Sequence, residues 1–469
     1  MTNRRTPVVA GLMLSSALSA VDSTMVATAV PSVVRDLGSF SLFPWVIAAY
    51  MLTQAVFTPI YGRLADVYGR KPLLIIGMSI FLAGTLLSGL AWNMPVLILA
   101  RALQGIGAGA LQPITQVLAA DLYPLHERGR ITGLLSSVWG VSALLGPALG
   151  GLLSELVSWR WTFLIKIPIG LAAILVIALW LKESVQRRPH RMDILGTLLL
   201  MGGVTATMLG LQKELLWLVA LGVLLLVAFG WWETRAAEPL IPPWVWRDRV
   251  TLGSFLGSLL VGMILIGPAV YLPTFAQAVL GASAVVAGFV LAVQSVGWPL
   301  AAGLSSRLYM RIGFRDTALA GLVLIGVSAL MFTQLNESSP LYYAGLCTFV
   351  NGAGLGLVSS AMLIGAQVGV PQEQRGVVTG GVVFFRIAGG AVGASLLAAV
   401  ANNSLADRLA GTGYTSIDQA SRAVEGGGDE VVRLALAGAV HDVFLALIVL
   451  AVLGVLAVLV VPRRFAHRS

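Results

Sequence analysis

Long apolar runs separated by short polar breaks recur along the whole chain. A bilayer core needs about 20 apolar residues per helical crossing. Cutting the chain at its polar breaks therefore predicts fourteen spans, at residues 7–34, 43–63, 72–92, 95–120, 130–155, 162–181, 193–212, 215–232, 250–275, 283–305, 317–335, 340–367, 376–402 and 437–461. The first run carries positive residues and a small-residue ALSA stretch like a secretory leader, but it continues past Ala20 into thirteen more spans. It is expected to be the first transmembrane helix. Most connections are short, and the one long outer loop, 403–436, carries Asp407, Asp418 and the run EGGGDE, so it is expected to be solvent-exposed and partly helical.

Composition agrees with an all-α polytopic membrane protein. The chain is 57% hydrophobic and 11% charged, against about a quarter charged in soluble domains, and its mean hydropathy is +0.89. No separate soluble domain has room. The net charge of +9 does not imply nucleic acid, because the basic residues are scattered between apolar runs. They are better explained by orientation. With the N-terminus inside, the inner segments hold 21 Lys and Arg and the outer loops six, so both termini are expected to be cytoplasmic in a cell membrane. Lone Cys347 excludes a disulfide framework, and four scattered histidines lack metal-ligand spacing. No cofactor is implied.

The chain also repeats. QGIGAG at 104–109 corresponds to NGAGLG at 351–356, and RGRITG at 128–133 to RGVVTG at 375–380, both pairs 247 residues apart. A weaker pair sets Gly62, Asp66 and Tyr68 against Gly303, Arg307 and Tyr309 at an offset of 241. Each repeat begins with an odd-numbered span, so the two halves run parallel, as in transporters whose halves rock about a central site. The expected domains are a six-helix half at 1–183, an inserted two-helix linker at 184–240 and a second six-helix half at 241–469. The inserted pair is expected to be scaffold.

Asp22 lies in mid-span, where a charge costs about 2.5 to 3.5 kcal/mol on insertion scales and usually marks an ion or substrate pathway. It shares a helical face with Ser15 and Ser19, a stripe expected to face a watery interior. Burial favours its protonated form and contact with water or a cation favours the carboxylate, so it is a candidate proton carrier. Arg101 in span four is permanently charged and is expected to pair with Asp22 or to clamp carbonyls of span one. Arg386 in span thirteen is its counterpart in the other half. A fixed structural role remains the alternative for Asp22 and Arg101, and for Arg386 the alternative to reaching the central cavity is snorkelling away.

Several motifs occur in order: GRLADVYGRKPLL between spans two and three, LILARALQGIGAG in span four, GPALGG in span five, then WRWTFLIKIPIG and FFRIAGGAVG. Together they resemble the drug:proton antiporter family with fourteen spans within the major facilitator superfamily, which implies the major facilitator fold. Three positions depart from that pattern. Val67 stands for a basic residue, Ala27 for an asparagine in span one, and Lys166 for an asparagine in WRWTFLIKIPIG. Lys166 is expected either to snorkel to the outer interface or to shape cation selectivity.

The resemblance gives the motifs roles. Gly62, Asp66, Gly69, Arg70 and Lys71, with Arg128, lie where inner helix ends meet and are read as a gate; retention of a basic loop explains the arginines but not Asp66 or the glycines. Gly146, Pro147, Gly150 and Gly151 match the antiporter motif, whose proline and small residues favour a bend and close helix approach. The substrate cavity is expected to draw on Tyr50, Gln54, Gln112, Gln116, Gln294, Trp298, Asn351 and Phe385, polar points in a mostly apolar pocket. No GxxxxGK[ST] phosphate loop is present. The sequence therefore points to a monomeric proton-coupled exporter of lipophilic, amphipathic compounds, not an enzyme. A lipid or metabolite exporter and a non-transporting scaffold or receptor are the alternatives.

Overall fold

The computed structural model describes residues 5–38, 42–183, 193–212, 215–409 and 430–463. Among them every regular element is helical. Thirteen helices are long and apolar enough to cross a membrane, and α3 (Phe43–Tyr68, 26 residues) adds a fourteenth of sufficient length. The expected outer loop is helical up to Arg408 and again from Glu430. Most of its acidic run EGGGDE lies outside the described residues.

The chain folds into two compact units. The first comprises Met1–Thr251, Ala366–Phe384 and Ala466–Ser469, and the second Leu252–Gly365 and Phe385–Phe465. The first contains α1 (Arg5–Thr28), α2 (Val30–Leu37), α3, α4 (Arg70–Gly89), α5 (Met94–Leu122), α6 (Leu125–Leu156), α7 (Trp161–Leu164), α8 (Lys166–Trp180), α9 (Ile194–Gln212), α10 (Leu216–Glu233) and α11 (Trp244–Arg247). Most of the second is built from α12 (Arg249–Ala278), α13 (Ala284–Ala292), α14 (Gln294–Ile312), α15 (Phe314–Phe332), α16 (Leu341–Val368), α17 (Arg375–Arg408) and α18 (Glu430–Leu459).

Local chemistry sets the joints. Pro31, Pro44 and Pro95 occupy first-turn positions of α2, α3 and α5, where a missing N–H costs nothing. Asn93 caps α5 by accepting from the Val96 N–H at 2.9 Å. Gly69 and Gly313 join α3 to α4 and α14 to α15 at φ of +98° and +89°, a region that strongly favours glycine. Span six is interrupted at Ile165, between α7 and α8. Pro168 explains the break, since it offers no N–H to the carbonyl four residues earlier. Lys166 consequently becomes the first residue of α8.

The repeated glycine runs perform the same task in both units. A Cβ on Gly107 of α5 would lie 2.5 Å from the Gly77 carbonyl oxygen of α4, and one on Gly354 of α16 would lie 2.7 Å from the Gly321 carbonyl oxygen of α15. Gly105 and Gly352 likewise press on the backbones of Tyr50 in α3 and Gln294 in α14. With no hydrophobic drive between helices in lipid, such close backbone approach supplies the packing. The weaker offset of 241 does not hold: Gly62 abuts Gly376, whereas nothing lies within 4 Å of a Cβ on Gly303. The joining glycines Gly69 and Gly313 are the equivalent pair.

Candidate functional site

The first site is buried within the first unit and centres on Asp22 of α1. Arg101 of α5 donates from a terminal guanidinium nitrogen to Asp22 Oδ2 at 2.6 Å. Gln104, one turn further along α5, donates to Asp22 Oδ1 at 2.8 Å, and its own carbonyl accepts from Arg101 at 2.6 Å. Thr85 of α4 accepts from the same Gln104 amide at 2.9 Å. The ammonium of Lys166 also pairs with Asp22 Oδ1. Asp22, Lys166 and Gln104 are wholly buried and Arg101 is 2% exposed.

These contacts revise two expectations. Lys166 does not snorkel: its side chain is wholly buried and its ammonium pairs with the Asp22 carboxylate. The Ser15, Ser19 and Asp22 stripe is packed against protein, with neither serine hydroxyl hydrogen-bonded among the described residues. Tyr50, expected on the cargo face, is buried with the Arg101 guanidinium 4.2 Å from its ring centre. The Phe163 ring lies 4.8 Å from the Lys166 ammonium. Aromatic faces thus cover both cations. Arg101 also donates to the Val46 carbonyl at 3.1 Å, tying α3 to the cluster.

The second site is a clasp at the α3–α4 turn. Asp66 accepts from the backbone N–H groups of Gly376 at 2.8 Å and Val377 at 2.9 Å, at the start of α17, and from Arg70 at 3.2 Å. A carboxylate at a helix N-terminus meets both unsatisfied donors and the positive end of the helix dipole. Arg70 reaches the Gln372 carbonyl at 2.5 Å, and Arg375 pairs with Asp121 at 2.7 Å. Gly62 is required because any Cβ there would strike the Gly376 carbonyl. Glu183 closes the arrangement from behind, accepting from the N–H groups of Arg70 at 2.8 Å and Lys71 at 2.7 Å, while the Lys71 ammonium donates to the Ala178 and Leu181 carbonyls, both at 2.7 Å. Arg128 turns back to the Tyr123 carbonyl at 3.1 Å.

The GPALGG run lies on α6, which continues unbroken through Pro147. Gly146 and Gly150 press on Thr24 and Met25 of α1, and a Cβ on Gly150 would fall 2.7 Å from the Met25 carbonyl oxygen. Gly151 faces open space. Thr24 donates to the Ser142 carbonyl at 3.0 Å, fastening the same contact. On α2, Asp36 accepts from the Trp159 indole at 2.9 Å and Arg160 at 2.6 Å. The indole and the guanidinium hold its carboxyl below the usual carboxylate range.

Of the other expected residues, Gln54, Gln112 and Gln116 are half-buried in the first unit. The second unit holds Gln294, Trp298, Asn351, Phe385 and Arg386. Asn351 is fully buried, with neither amide atom hydrogen-bonded among the described residues, and the Gln294 carbonyl is similarly unpartnered. Phe385 stacks on Phe255 with ring centres 4.9 Å apart. Arg386 is half-buried beside it.

Sequence reading missed Lys166 as a partner of Asp22, and also Gln104, Thr85, Asp121, Glu183 and Arg375. Gln104 had a signal in its three-residue spacing from Arg101, and Arg375 in opening the repeated RGVVTG run. Glu183 had none.

The sequence matches the family model described as Major Facilitator Superfamily over residues 12–394. It is 32% identical over 423 residues to the multidrug transporter protein MdtP of Bacillus subtilis, covering 87% of this chain and 78% of that protein. To multidrug resistance protein 3 of the same organism it is 32% identical over 412 residues, covering 86% and 80%. To the efflux pump FUS6 of Gibberella moniliformis it is 31% identical over 416 residues, covering 84% and 73%. The fold is similar to the crystal structure of the human organic anion transporter MFSD10, with a TM-score of 0.66 at 15% identity over 97% of this chain and 99% of that one.

Proposed function

Because this chain belongs to the Major Facilitator Superfamily, a family of membrane transporters, we propose that it exports lipophilic, amphipathic compounds in exchange for protons. The observation that carries the coupling is the buried cluster of Asp22, Arg101 and Lys166. Ionisable groups so deep in a helix bundle are costly, and membrane proteins keep them chiefly for moving charge. Relatives whose names describe multidrug transport and efflux support the cargo class.

In this reading the Asp66 clasp is the inner gate. Its carboxylate holds the start of α17 while the exit side is open, and its release lets cargo enter from the cytoplasm. The small-residue contact of α6 with α1 keeps the proton cluster sealed during the switch. The 21 inner basic residues support two cytoplasmic termini in a cell membrane, and the inserted pair α9–α10 serves as scaffold between two six-helix halves. Gln54, Gln112, Gln116, Gln294, Trp298, Asn351 and Phe385 supply the cargo surface. Arg386, a cation beside an aromatic stack, lies in the second half as a further coupling or cargo group.

Energetics constrain the cargo. If one proton enters as one monovalent cation leaves, the voltage cancels and the pH difference alone drives export, about 1.4 kcal/mol per unit. A neutral compound gains roughly 2.3 kcal/mol more per 100 mV. The test is purified protein in proteoliposomes given an acid-inside pH step, with ethidium as the cationic probe outside. Accumulation of ethidium that collapses with a protonophore is the expected result. Transport at equal rate with no pH difference refutes proton coupling.

A further inference from the structure

We propose that Lys166 is the group that gains and loses the coupling proton, with Asp22 acting as its fixed counter-ion. This deepens the proton-coupled reading above and rests on it.

Charge balance separates the two candidate carriers. Among the described residues, the side chains contacting the cluster comprise one carboxylate, Asp22, and two cations, Arg101 and Lys166. Protonating Asp22 leaves two buried cations without an anion. Removing a proton from Lys166 leaves Asp22 and Arg101 as a matched pair. Arg101 cannot take part, since a guanidinium stays charged in proteins. The groups facing Lys166 are Asp22 from α1, Arg101 and Gln104 from α5 and the Phe163 ring from α7; Tyr50 of α3 and Thr85 of α4 lie one contact further out. None of these adds a second anion.

Helix geometry points the same way. Lys166 is the first residue of α8, at the positive end of a helix dipole, where a cation is disfavoured. Its ammonium therefore faces a guanidinium and a helix N-terminus with half of one carboxylate to offset both.

Hydrogen bonding separates the two carriers further. Asp22 Oδ1 accepts from Lys166 and Gln104 and Oδ2 from Arg101, three contacts that protonating the carboxylate would weaken. A neutral Lys166 amine keeps two N–H bonds and can still donate to Oδ1. In the step itself one Nζ–H bond breaks, the proton passes to a water molecule admitted from the open face, and the electron pair remains on Nζ. Reloading from the opposite face reverses it. An asparagine at this position, as the family pattern has, could carry no proton. Lys166 is this chain's own departure from that pattern.

The chain contains only four lysines, at 71, 166, 182 and 213, which makes the assignment measurable. The full-length protein in lipid bilayers, 15N-labelled at lysine Nζ and 13C-labelled at aspartate Cγ, would be titrated by solid-state NMR, with Lys166→Gln identifying the Lys166 resonance. The expected result is conversion of Lys166 from ammonium to amine while Asp22 keeps its carboxylate shift. A constant ammonium with a protonating Asp22 would overturn the proposal. In proteoliposomes, Lys166→Arg fixes the cation and Lys166→Gln fixes a neutral side chain, and each should lower pH-driven ethidium transport at least tenfold. Retention of full pH-driven transport by Lys166→Gln would equally overturn it. A wild-type protein whose ethidium transport ignores pH refutes the proton-coupled reading itself, whereas coupled wild-type transport with an invariant Lys166 signal refutes only the assignment to lysine.

Discussion

Replacing Asp22 by asparagine removes the single anion of a cluster that otherwise holds two buried cations. The charge within the site rises by one unit, and neither Arg101 nor Lys166 has another carboxylate partner among the described residues. Removing one member of a buried pair costs about 3–5 kcal/mol, because the remaining charge is left uncompensated. Asp22→Asn should therefore lower stability by roughly 3–5 kcal/mol as well as abolish pH-driven transport. The discriminating measurement is a double-mutant cycle with Lys166→Met, which deletes one cation but keeps an apolar side chain. Equilibrium unfolding in mixed micelles, followed by tryptophan fluorescence, should show Asp22→Asn with Lys166→Met recovering at least half the loss of the single Asp22 variant. Simple additivity, with the double variant less stable than either single, would mean that the two side chains do not share an electrostatic site.

Three further outcomes follow from other contacts. Asp66→Asn removes a charged acceptor from the Gly376 and Val377 N–H groups; bonds to charged groups are worth about 1.5–3 kcal/mol, so hydrogen exchange at those two amides should accelerate by at least tenfold, and unchanged protection would contradict the clasp. Gly150→Val pushes side-chain atoms into the Met25 backbone while Gly151→Val meets open space. The first should cost about 1–3 kcal/mol by overpacking and the second far less, a contrast read from thermal melts in detergent; equal losses would count against the α1–α6 contact. Glu183→Ala uncaps α4 by freeing the Arg70 and Lys71 N–H groups. Its expected cost is about 1 kcal/mol, and Glu183→Gln should recover part of it, whereas no loss in the alanine variant would dismiss the cap.

The sequence made the spans legible because lipid imposes one length and one polarity on every crossing. Asp22 and Arg101 stood out for the same reason, as charges where charge is expensive. Spacing along one helix reveals which residues share a face, but not which other helix that face meets. Hence Asp22, Ser15 and Ser19 were recognisable as a stripe, while its partner Lys166, 144 residues away, was not. Pro168 held a clue to the interruption between α7 and α8, but none to the helix that Lys166 meets. Tyr50 shows the converse limit: its spacing from Gln54 suggests a cargo face and gives no sign that its ring lies over the Arg101 guanidinium. The clasp was legible in Asp66 and the glycines, but its other half lies some 310 residues away and needed the folded chain.

The glycine contacts of α5 with α3 and α4, and of α16 with α14 and α15, are made largely by main-chain atoms. Main chain has no rotamers to exchange, so each trio behaves as a stiff plate that slides or tilts whole and does not deform. Regular helix is interrupted at Ile165 and Val293, where the backbone nevertheless stays in the right-handed region. One of those interruptions immediately precedes Lys166, so the change of helix in span six falls beside the charge that Asp22 holds.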